Sequence, residues 1–173
     1  MTKDRVSQPR PFASAMLTRW GALRRVDCRR CFSLRLSQTS GSRNSMLGHI
    51  SLGVRDLARA TVFYDATMSA LGYTRLDTDH KSVGYGLPGT RNDRLRLFQR
   101  DEAAPPGPGF HVAFVAPSQV AVDRFHDAAL RNGGSDQGGP GLRPQYGPNY
   151  YAAFVVDPDG YKLEAKHPPP PEG

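Results

Sequence analysis

Residues 48–54 read Gly48-His49-Ile50-Ser51-Leu52-Gly53-Val54, and residues 110–116 read Phe110-His111-Val112-Ala113-Phe114-Val115-Ala116. Both alternate as a half-buried strand does. They stand 62 positions apart, and the correspondence runs on beyond them. Asp56 falls on Ser118, Phe63 on Phe125, Asp65 on Asp127, Ala66 on Ala128 and Gly72 on Gly134. Asp56 and Ser118 carry short side-chain oxygens suited to accept an orphan N–H at a helix start. Leu57, Ala60, Val62, Phe63, Ala66 and Ala70 then supply one apolar helical face, and Val120, Val122, Phe125, Ala129 and Leu130 a second. Gly72 and Gly133-Gly134 are natural helix ends. Strands are predicted over 73–77, 82–87 and 94–100. After the second helix a Gly- and Pro-rich loop is predicted over 133–149. Strands over 150–156 and 161–166 follow, joined by the tight-turn sequence Asp157-Pro158-Asp159-Gly160. The pattern predicts an α+β fold, two βαβββ modules in one domain. One helix per half cannot close a core alone. Paired, the modules are expected to curl their sheets around a shared concavity, where a ligand would lie.

The charge is divided unevenly around this repeat. Of 173 residues, positions 1–45 hold 10 Lys and Arg against 2 Asp and Glu, and positions 46–173 hold 13 against 14. The net +7 is therefore all in the N-terminal segment, and the domain lacks the basic stripe of a nucleic-acid binder. No apolar run is long enough for a membrane span, and two cysteines cannot staple a secreted scaffold. Three parts are expected: a basic extension over 1–45, the domain over 46–167 and a proline tail over 168–173. The extension is Arg- and Ser-rich and acid-poor, which fits a disordered or spurious extension ahead of Met46, or a mitochondrial transit peptide. The expected location is the cytoplasm, or the mitochondrial matrix if residues 1–45 target it there. Cys28-Arg29-Arg30-Cys31 lacks the second ligand pair that a zinc site needs.

The chemistry gathers on three residues. His49 and His111 hold the same place in the repeat, each at the start of its first strand. On the last strand Tyr161, Leu163 and Ala165 share one face, expected to pack on the helix, and Lys162, Glu164 and Lys166 share the other. Two imidazoles and the Glu164 carboxylate make a divalent-metal site that leaves coordination positions open. The predicted metal ligands are His49, His111 and Glu164, with Zn, Ni, Co, Fe or Mn as the ion. Glu102 stands as far from His49 as Glu164 does from His111, and is the candidate fourth ligand. Arg96 and Arg100 are expected to face the concavity. His80, His126 and His167 are read as surface residues.

These segments resemble the vicinal oxygen chelate superfamily. The resemblance is carried by the first strand with Phe63-Tyr64 and Leu71-Gly72-Tyr73, by Phe110-His111-Val112-Ala113-Phe114, and by Phe154-Val155-Val156-Asp157-Pro158-Asp159-Gly160-Tyr161-Lys162-Leu163-Glu164. It covers residues 46–167 and implies metal ligation by His49, His111 and Glu164, with Glu164 as the catalytic residue. It implies a homodimer acting on a small molecule with two adjacent oxygens, a glyoxalase I (lactoylglutathione lyase)-like lyase or isomerase. The alternatives are an extradiol-dioxygenase-like oxygenase and a non-catalytic binder like the bleomycin resistance proteins. Phe154 and Gln145 stand where the dioxygenase pattern wants a tyrosine and a histidine. Arg96, Tyr146, Asn149 and Tyr151 are the expected substrate-binding residues, with Tyr150 a further candidate for the wall of the site. No nucleic-acid or membrane partner is expected.

Overall fold

The computed structural model describes residues 47–168; the basic extension, Cys28, Cys31, Met46 and the rest of the proline tail lie outside the described residues. The first module runs β1 (Ile50–Val54), α1 (Leu57–Ala70), β2 (Thr74–Thr78), β3 (Ser82–Gly86) and β4 (Leu95–Gln99). The second runs β5 (Val112–Val115), α2 (Gln119–Arg131), β6 (Ser135–Leu142), β7 (Tyr151–Val156) and β8 (Lys162–His167). The sheets have matching orders, β1-β4-β3-β2 and β5-β8-β7-β6. In each, the first strand pairs in parallel with the last and the remaining pairs are antiparallel. The fold is α+β, two βαβββ modules.

The repeat signals act as their chemistry suggests. The Asp56 carboxylate accepts from the Arg59 N–H at 3.0 Å, and the Ser118 hydroxyl from the Ala121 N–H at 3.2 Å. Gly72 follows α1 at φ 83°, a conformation that favours glycine. The two helices pack against each other as well as on their sheets. One continuous core results, with Phe63, Tyr64 and Met68 from α1, Val122 and Phe125 from α2, and Leu97, Val155 and Leu163 from the strands. Polar ties cross between modules. The Tyr64 hydroxyl donates to Asp157 Oδ2 at 2.7 Å, and the Arg55 N–H to Asp159 Oδ1 at 3.0 Å. Burial, then the Asp157 charge, pushes the Tyr64 hydroxyl well above its ordinary range, so it remains a donor.

Three expectations are corrected. Residues 133–149 are not all loop, because β6 forms within them. It lies at the sheet edge, pairs with β7 through register shifts and accommodates Pro140 and its glycines there. The buried helix faces are rotated from the apolar pattern. Thr67, Met68 and His126 are inside, whereas Val62, Val120 and Leu130 are exposed. His126 is accordingly no surface residue: it is 8% exposed and its Nε2 lies 2.8 Å from Asp136 Oδ1, tying α2 to β6.

Candidate active site

Strand β8 alternates as its sequence suggests. Leu163 and Ala165 are fully buried in the core, and Glu164 lies in register with Phe154 of β7 and Ala113 of β5. Glu164 is itself 3% exposed, a carboxylate kept from water by its neighbours. Its Oε1 accepts a hydrogen bond from the Tyr150 hydroxyl at 2.6 Å, and its Oε2 lies 3.2 Å from His111 Nε2. His111 immediately precedes β5 and is about half exposed, so the pair meets the open face of the second sheet. Burial, then the bond to Glu164, raises the Tyr150 hydroxyl far above neutral pH; it stays protonated and holds one carboxylate oxygen while the other is left for His111. Asn149, at φ 61°, turns the chain into β7 just before Tyr150. Asparagine is among the few side chains that tolerate this conformation.

The remaining candidates are dispersed. Tyr146 is exposed, with its ring 5.5 Å from that of Tyr150, edge to face. Tyr151 faces the other way, and its hydroxyl donates to Asp123 of α2 at 2.8 Å. Arg96 lies in the first sheet, where Asp93, Asp77 and the Ser82 hydroxyl engage its guanidinium. Arg100 stacks near Phe98. Glu102 is in an exposed turn that shares a depression with Gly53, Arg100 and Tyr161. Tyr150 makes the contact to Glu164 that its neighbour Tyr151 does not. The signal that distinguishes them is strand parity: adjacent residues entering β7 point to opposite faces.

His49 is not beside the His111–Glu164 pair. It lines a separate cavity of about 400 Å³ with Ile50, Met68, Tyr73, Tyr85 and Val112–Val115. The start of β1 thus shares a cavity with β5, while Gly53 near the end of β1 shares its depression with Tyr161, whose ring meets Phe110 before β5. The modules set β1 and β5 in opposite senses, so equivalent positions fall at opposite ends. The expected convergence of His49 and His111 is therefore not met within one chain. Among the described residues no three His, Cys, Asp or Glu side chains are close enough to hold a metal ion. Two donors, His111 Nε2 and Glu164 Oε2, are what one chain brings together.

Residues 46–165 match the family described as the Glyoxalase/Bleomycin resistance protein/Dioxygenase superfamily. A glyoxalase/bleomycin resistance protein from Albidiferax ferrireducens is 32% identical, with a TM-score of 0.63, covering 72% of this chain and 100% of its own. A glyoxalase-related enzyme from Fulvimarina pelagi is 18% identical, with a TM-score of 0.57 over 75% of this chain and 93% of its own. The genomically encoded fosfomycin resistance protein of Listeria monocytogenes is 20% identical, with a TM-score of 0.54 over 72% of this chain and 94% of its own. The last two show the likeness of fold alone. No curated protein matches the chain.

Proposed function

Since the chain belongs to the Glyoxalase/Bleomycin resistance protein/Dioxygenase superfamily, we propose that it binds and transforms a small substrate with two adjacent oxygens, as a glyoxalase-like lyase or isomerase. The observation that supports this reading is the buried Glu164 carboxylate, with Tyr150 on one oxygen and His111 on the other. The superfamily includes many enzymes, and its members often use divalent metals. One chain's two donors are too few for the three-ligand set, but their chemistry, an imidazole nitrogen beside a carboxylate oxygen, suits Zn, Ni, Co, Fe or Mn. We assign the ion to His111 and Glu164 of one copy and His49 of a second, in a homodimer. A bound divalent ion would supply Lewis acidity toward the two substrate oxygens.

The chain's own residues do the rest. Tyr150 keeps Glu164 Oε1 occupied and fixes the carboxylate's orientation, so Oε2 is the atom presented beside His111 Nε2 to the ion or, when no ion holds it, to a proton on the substrate. Tyr146 and Tyr150 form an aromatic wall beside it. The dioxygenase alternative lacks support at Phe154, whose ring is flanked by Arg143 and Lys162 and has no titratable proton. The binder alternative is weakened by the presence of His49, His111 and Glu164, the donors that the shared site uses.

The test combines metal analysis with complementation. Neither His49→Ala nor His111→Ala alone should retain stoichiometric metal. Their mixture should recover part of it, because one intact composite site forms in each mixed dimer. Anaerobic turnover of the methylglyoxal–glutathione adduct is expected, with no oxygen uptake on catechols. Iron-dependent oxygen uptake lost in Glu164→Ala would instead favour the oxygenase, and ligand affinity without turnover under any metal the binder. Metal retained when both histidines are replaced in one chain would overturn the ligand assignment.

A further inference from the structure

We infer that the substrate carries a separate oxyanion, a carboxylate or phosphonate, and that Arg143 and Lys162 bind it beside Phe154. This rests on the proposed site at Glu164 and names its substrate class. Phe154 is the registered partner of Glu164 across β7 and β8. Two cations converge on its ring: Lys162 Nζ stands 5.2 Å from the centroid and the Arg143 guanidinium carbon 5.6 Å. Lys162 is two residues before Glu164 on the same face of β8. Arg143 comes from the segment after β6, and its Nη2 donates to the Gly139 carbonyl.

Neither cation has a carboxylate partner among the described residues, in contrast to Arg55, Arg59, Arg75, Arg96 and Arg131, which all do. The Arg143 Nε is buried with no hydrogen-bond partner. That edge of the guanidinium is kept from water, so an oxyanion beside it meets a partly desolvated cation, toward which charge-assisted hydrogen bonds are stronger. The contacts of Glu164 go to Tyr150 and His111 instead. A third cation, Lys166 Nζ, lies 5.2 Å from the Tyr150 ring on the far side of Glu164, so the face around the carboxylate is positive. The Phe154 ring restrains Arg143 and Lys162 before a ligand arrives, which lowers the ordering cost of binding.

Malate and β-malamate are the probes. Both keep a 2-hydroxy acid end with adjacent oxygens and differ in whether the far end is a carboxylate or a neutral amide. Calorimetric titration of the full chain in EDTA reads the charge preference without any metal, and a parallel titration with Mn(II) reads the metal. Malate should bind about tenfold tighter than β-malamate in EDTA, the scale of one charge-assisted contact. Lys162→Gln should erase most of that preference and Lys162→Arg should retain it. Arg143→Gln gives a second variant if the first folds poorly. Failure of the metal reading would appear as no gain in affinity with Mn(II) while the preference in EDTA persists. Equal affinity for the two probes, no binding of either, or a preference that survives Lys162→Gln combined with Arg143→Gln would overturn the inference.

Discussion

Replacing Tyr150 with Phe removes the hydroxyl that donates to Glu164 Oε1 and leaves that buried oxygen without its donor. The variant should lose about 2 kcal/mol of stability, the cost of a broken hydrogen bond to a buried charged group, read by chemical denaturation. Tyr151→Phe breaks a bond to Asp123 on the helix side instead and should leave ligand affinity at the Glu164 face unchanged. A different residue reports on pH. The hydrogen bond with His126, then the Gly138 N–H, holds the Asp136 carboxyl below its usual range. Its contribution is fully present above the unfolded value of about 4 and is lost as pH falls through the lower folded value. Thermal melts should show the wild-type protein losing stability over that acid window, and Asp136→Asn losing less.

Between the elements, Gly134 in the turn from α2 to β6 is closely packed. A Cβ on Gly134 would stand 2.8 Å from the Phe63 ring and 3.0 Å from the Ala129 and Val156 carbonyls. Backbone cannot yield as a flexible side chain can, so Gly134→Ala should cost about 1–3 kcal/mol by overpacking. Gly139, within β6, meets nothing within 4 Å at its added Cβ. Gly139→Ala should be neutral or stabilise by up to about 1 kcal/mol, through a less free unfolded chain. Comparing the two midpoints in denaturant separates steric closeness from glycine content. The contrast also shows why β6 escapes a sequence reading: its glycines and Pro140 look like loop, and only the edge position and the pairing to β7 make them a strand.

For the whole molecule, the family match begins at residue 46 and the core draws on both modules. Residues 46–173 are therefore expected to fold without the basic segment, with an unchanged melting temperature and metal content. A truncated protein that is insoluble or metal-free would show that the segment is structural. Cutting within the domain is another matter. Tyr64 to Asp157 and Arg55 to Asp159 are bonds between modules, and α1 packs on α2, so neither half should fold alone.

What the sequence by itself determined is what local chemistry and period can carry: the duplicated module, the caps at Asp56 and Ser118, the alternation that puts Leu163 in the core and Glu164 on the other face, and the superfamily. These depend on neighbours within a turn or a strand. Tertiary structure decided which side chains meet. It chose Tyr150 over Tyr151 as the partner of Glu164, engaged Arg96 with Asp93 and Asp77, buried His126 against Asp136, and left Arg143 and Lys162 without acids. It also ran the two first strands in opposite senses, so the matched histidines, each at the start of its strand, lie apart, because a repeat in sequence specifies equivalence between positions and says nothing of the axis that relates them. That axis follows from how two helices and two sheets share one core.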